Sequence, residues 1–185
     1  MKRKLTLAAT LLIATASFGA VDVQKSADFP ASIKTMAIAP LPCSEGVNCV
    51  KVEKHLNKIV PKLFSHVQIV GTDGVKQALF EKSITETSKE SILEVAKEMG
   101  CDAVLLPAVL GSDRKDHWNA WTDYDTGQVH ASDSASVQSS VQVIIMDVDG
   151  KLLMKGQAVG ESYLQTEQTY FAEGQFDKIF RKALH

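Results

Sequence analysis

Residues 89–110 read KESILEVAKEMGCDAVLLPAVL, and their two halves set the class of the fold. In the first half Ile92, Leu93, Val95, Ala96 and Met99 share one helical stripe, while Lys89, Glu90, Glu94, Lys97 and Glu98 mostly face away. Gly100 then ends the helix, because a residue without a Cβ takes the left-handed C′ conformation at little cost. The second half, Ala103 to Leu110, is an almost unbroken apolar run too short for another helix. A strand buried on both faces reads this way. An amphipathic helix feeding a central strand through one glycine predicts an α/β layer with a real core.

Working outward, Lys34–Leu41 (KTMAIAPL) reads as a buried strand ended by proline, with residues 21–33 before it a polar linker. Leu56, Ile59, Val60, Leu63 and Phe64 repeat at helical spacing, with Pro61 expected to kink that helix and Lys51, Lys54, Lys58 and Lys62 forming a basic stripe on its other side. Such a stripe is usually a solvated face, with contact to an anion or a lipid headgroup the sharper alternative. A strand at 66–70 follows, then a short helix that Asp73 can cap. Thr87 and Glu90 have the spacing of a capping box before the helix quoted above. Val137–Val148 and Lys151–Tyr163 flank Asp149-Gly150, a strong hairpin signal, and a helix carrying Phe176, Ile179, Phe180, Ala183 and Leu184 closes the chain. The reading is one α/β (α+β) domain over 34–185, of two or three layers. Its order is β-α-β-α-α-β-β-β-α, with helices packed on a mixed sheet.

Met1–Ala20 has the parts of a secretory signal: Lys2, Arg3 and Lys4, an apolar core from Leu5 to Ile13, and small residues with Ala14-Thr15-Ala16 at a cleavage spacing. The apolar run falls short of the ~20 residues that cross hydrocarbon, so no membrane span is expected after cleavage. The predicted location is the periplasm, with association to the outer membrane compatible with it. The whole sequence has net charge −2, and losing the three basic residues of the leader makes it −5. An acidic chain without a basic run is a poor nucleic-acid ligand. Of the three cysteines, Cys43 and Cys49 flank a turn-forming segment and are expected to pair once exported, stabilising by roughly 2 kcal/mol. Cys101 opens the apolar strand and reads as a small buried hydrophobe.

Three stretches resemble a small βαβαβββα domain of bacterial envelope proteins: TMAIAPLP, EVAKEMGCDAVLLPAVLG and VQVIIMDVDGKLLMKGQA. The domain is shared by the TolB amino-terminal domain, LpoB-type activators of peptidoglycan synthases and CsgG-type curli-secretion proteins. The likeness covers most of the chain after the leader and lies in hydrophobic patterning and element order. It implies work by protein–protein contact, with an envelope protein as partner. The departures are the lack of a propeller repeat, of a lipid-bearing cysteine near the cleavage region, and of the alternating apolar segments a membrane hairpin needs.

Unusual chemistry concentrates in residues 111–136, read as a long polar loop whose DYDTGQ segment suits the tip of a hairpin. Trp118, Trp121 and Tyr124, with His117 beside them, are candidate partner-binding anchors. The competing reading has the tryptophans folding back over the sheet edge or the end of the core. A weaker one makes His117, His130 and Asp123 metal ligands, and Asp123-x-Asp125-x-Gly127 lacks the distal acids of a calcium loop. No nucleophile elbow, dinucleotide fingerprint or P-loop is present, so no catalytic residue and no cofactor is expected. The sequence therefore predicts a non-enzymatic, exported protein-binding domain serving envelope assembly or maintenance. The alternative is a periplasmic small-ligand or metal-binding protein using the same loop. Oligomeric state is not legible.

Overall fold

The computed structural model describes residues 19–27, 29–42, 44–85, 87–123, 125–163 and 167–185, apart from the side chains of Asn119 and Asp133. The elements are β1 (Gly19–Lys25), β2 (Thr35–Ile38), α1 (Cys49–Leu63), β3 (Gln68–Val70) and α2 (Thr72–Glu81), followed by α3 (Lys89–Glu98), β4 (Ala103–Thr122), β5 (Val129–Asp147), β6 (Leu152–Ser162) and α4 (Gln168–Leu184). The strands form one mixed sheet in the order β1-β6-β5-β4-β2-β3, parallel at β3-β2-β4 and antiparallel elsewhere.

Strand alternation makes the layers. Met36, Ile38, Ala103, Leu105, Val141, Val143 and Ile145 point to one face, where α1 (Val52, Leu56, Val60) with its C-cap Phe64 and α4 (Phe176, Ile179, Phe180) complete the larger core. The intervening Ala37, Ala39 and Val104 point to the other, under α2 (Val75, Leu79) and α3 (Ile92, Val95, Ala96). The α/β class and the mixed sheet with helices on it are thus as expected, in the three-layer form. Gly156 brings α4 close to the sheet: a Cβ there would lie 2.3 Å from Ile179 Cγ2.

The residue 89–110 stretch behaves as read. Gly100 has φ +74°. The Cys101 amide donates to Ala96 O at 3.0 Å and the Gly100 amide to Lys97 O at 3.1 Å, which satisfies the last carbonyls of α3. Cys101 is the free cysteine among the described residues and is buried. That burial, with the Asp102 carboxylate second, pushes its thiol above the ordinary range. Pro107 sits opposite Val143 where β2 no longer accompanies β4. Leu105 O accepts from Ala39 N and Val109 N donates to Pro42 O. Odd residues of β4 thus direct their backbone groups toward β2, and at 107 no donor is required.

Several expectations need correction. Residues 21–25 are not linker but part of an edge strand, β1, since Val21 and Val23 pack on the α4-side core while Asp22 and Gln24 face out. The strand adds an element ahead of the expected order and begins at Gly19, inside the expected leader, whose residues 1–18 lie outside the described residues. The expected pairing of Cys43 with Cys49 falls on Cys43, also outside them. The α3 cap is Ser88 with Ser91 instead of Thr87 with Glu90, the two side chains exchanging bonds with each other's backbone amides at 3.1 and 3.0 Å. Helix α1 continues through Pro61 to Leu63, and α2 starts on Gly71 with Asp73 inside its first turn.

Candidate functional site

The main departure lies in residues 111–136, of which 111–122 and 129–136 are strand and not loop. The β5–β6 ladder ends at Val137 opposite Ser162, but β4 and β5 keep pairing from Lys115 opposite Ser136 out to Thr122 opposite Val129. At about 3.3 Å per residue, a two-stranded arm reaches some 25 Å past the sheet. A register shift between Val109 and Gly111 precedes the arm, still within the part of β4–β5 that β6 accompanies. The extra residue there, Leu110, is exposed, and the shift re-aims every side chain beyond it.

The tip is locally closed. Asp123 Oδ1 accepts the amides of Asp125 (2.8 Å) and Thr126 (3.1 Å), and Gly127, at φ +69°, donates to Asp123 O at 2.8 Å. Those bonds, the Thr126 amide first, hold the Asp123 carboxyl below its usual range, so it stays ionised. Tyr124 lies outside the described residues.

Alternation past the shift puts Trp118 on the side of Ala135 and Val137, which is the α1/α4 side, and Trp121 on the opposite side with His117 and His130. Trp118 is 69% exposed and Trp121 54%. Neither folds back into the core, so that reading of the tryptophans is excluded. Trp121 stacks on His130, centroids 5.5 Å apart and planes 19° apart. His117 Nε2 shares a hydrogen bond with Ser136 Oγ at 3.2 Å, and its ring lies 6.3 Å from that of Tyr163. At the arm's base Arg114, His117, Trp118, Ser134 and Tyr163 border an open cleft of about 720 Å³. Arg114 Nε donates to Asp116 Oδ1 at 2.9 Å along the strand.

The arrangement gathers aromatic contact surface rather than ligands. His117 and His130 share a side but pair with different rows, His130 opposite Trp121 and His117 opposite Ser134, and Asp123 is engaged in the tip. Among the described residues no three His, Cys, Asp or Glu groups converge on a point where an ion could sit. Sequence reasoning missed Val129 (71% exposed), Tyr163 and Arg114 as parts of this surface. The alternation of 129–137 is the signal that could have found the arm. It was masked by small polar residues, which hide a strand's period.

No protein-family model and no curated protein matches the sequence. The fold does match solved structures. A single-substitution variant of PelC from Paraburkholderia phytofirmans, solved as a dodecamer, aligns with TM-score 0.54 at 14% identity over 90% of this chain and 98% of PelC. The LpoB C-terminal domain from Salmonella enterica aligns at 0.46 and 10% identity over 68% and 81%. A lipoprotein from Neisseria meningitidis aligns at 0.47 and 11% over 80% and 96%. The PelC likeness establishes a shared fold. TolB and CsgG are not shown. No helix among the described residues is long and apolar enough to cross a membrane.

Proposed function

We propose that this chain is an exported, non-enzymatic envelope protein that works in the periplasm by binding another protein through the β4–β5 arm. The observation that carries the reading is the arm itself: a two-stranded projection with one indole exposed on each side. Large aromatics on a structured, solvent-facing element lose little conformational entropy when covered and are the residues most enriched at binding hot spots. Leaving two exposed has a cost in solubility that a partner surface would recover. The leader-like residues 1–20 and the LpoB-type resemblance of the sequence support an envelope partner, with envelope assembly or maintenance as the work.

The test is an arm-shortened protein in which residues 116–135 are replaced by Asn-Gly, a two-residue turn that suits the remaining ladder. It should fold with its melting temperature little changed and lose the envelope partner that the intact protein retains on native co-purification. A folded, shortened protein that retains the same partner contradicts the proposal.

A further inference from the structure

The partner can be argued from charge, given the reading that the arm is a contact surface. Residues 117–134, the arm beyond its Arg114–Asp116 pair, contain three aspartates and no lysine or arginine. Elsewhere on the same molecule, α1 carries Lys51, Lys54, Lys58 and Lys62, and its one acid, Glu53, is buried against Lys76. Lys54 and Lys58 make no ion pair among the described residues. They border a groove of about 470 Å³ at the β3 edge of the sheet, lined also by Asn57, Pro61 and Ile69, with Asp73 as its single acid. That volume lies in the range that takes a compact ring system. Two lysines beside the apolar Pro61 and Ile69 are what an indole flanked by carboxylates would meet, with cation–π contact added.

We infer that the occupant is a second copy of this chain: the acidic, tryptophan-bearing arm of one copy seats in the basic α1–β3–α2 groove of the next. Knob and socket are different surfaces of one molecule, so the contact is head-to-tail, and each added copy leaves one arm and one groove open. Repetition gives a ring when the rotation closes and a filament when it does not. The PelC structures that share the fold were solved as dodecamers, so the fold is compatible with many-copy assembly.

Two charge-reversed proteins test this, one Lys54→Glu/Lys58→Glu in the groove and one Asp125→Lys/Gln128→Lys/Ser132→Lys on the arm, which takes residues 117–134 from −3 to +1, all at exposed positions. Mass is measured by light scattering across a concentration series. The native chain should exceed a monomer's mass, and its apparent association constant should fall on the order of tenfold or more from low salt to 0.5 M salt. Each variant alone should be monomeric, and mixing the two should restore assembly, because every arm then meets a groove of opposite charge. A native protein that stays monomeric, or an assembly unmoved by either reversal, overturns the inference. A monomer whose arm still binds an envelope protein overturns the self-contact while leaving the arm's role intact.

Discussion

Trp121 and His130 stack across the two strands of the arm, 5.5 Å between centroids and 19° between planes, with no third layer over them among the described residues. A cross-strand aromatic pair contributes a fraction of a kcal/mol to about 1 kcal/mol. Here it stiffens an exposed ribbon instead of filling a core.

It follows that Trp118→Ala and Trp121→Ala should each change folding stability by less than about 1 kcal/mol, whereas a buried tryptophan costs 3–5. Chemical denaturation of the two variants checks this, and a loss of core size would mean that the indoles are covered by the chain's own fold.

The reverse case is Gly156. A methyl there meets Ile179 Cγ2 at 2.3 Å, and that atom is a branch methyl inside the core, not the free end of a long side chain. Gly156→Ala should destabilise by about 1–3 kcal/mol through overpacking. Adding Ile179→Ala should recover less than it costs elsewhere, yet shrink the effect of the glycine substitution, a coupling that a double-mutant cycle measures.

A pH dependence is built into the α1–α4 contact. His55 Nε2 lies 2.8 Å from Asp177 Oδ1, and its Nδ1 is 3.9 Å from Glu173 Oε2. Burial raises the Glu173 carboxyl above its ordinary value, opposed by His55 and reinforced by the Asp177 charge. A carboxyl raised on folding stabilises fully below its unfolded value, and that contribution is lost as pH rises through the folded one. Glu173→Gln, which has no charge to bury, should therefore melt higher than the native chain at pH 7 to 8. The difference should vanish in acid below the ordinary carboxylate range. Melting curves from pH 3 to 8 decide it; a lower-melting variant at neutral pH would show that the His55 attraction outweighs burial.

The cysteines give a direct count. Denatured, unreduced protein should show one reactive thiol, Cys101, if Cys43 and Cys49 pair; three would refute the pairing. In the native protein that thiol should react slowly, since it is buried and its raised pKa leaves little thiolate at neutral pH.

Much of the fold was legible because its signals are periodic. Ile92, Val95 and Ala96 at helical spacing, Gly100 at the stop and the apolar run after it each fix a local conformation without help from distant residues. The edge strand β1 was not legible, because Val21 and Val23 are too few to mark a period and β1 gains its structure from β6, far along the chain. The arm's anchors were legible as residue types but not as a geometry. Ser132, Ser134 and Ser136 alternate with small or polar neighbours, so neither face of β5 stands out, and the register with β4 is what orders them.

The arm's role as a contact surface is the central claim, and a photo-reactive side chain at position 120, between the two intact tryptophans, tests it most directly. A matched probe at Lys151, exposed near the β5–β6 turn, serves as the control. Irradiated in the native envelope, the protein should give a discrete protein adduct from position 120 and none from 151. No adduct at 120, or the same adducts from both positions, would contradict the account.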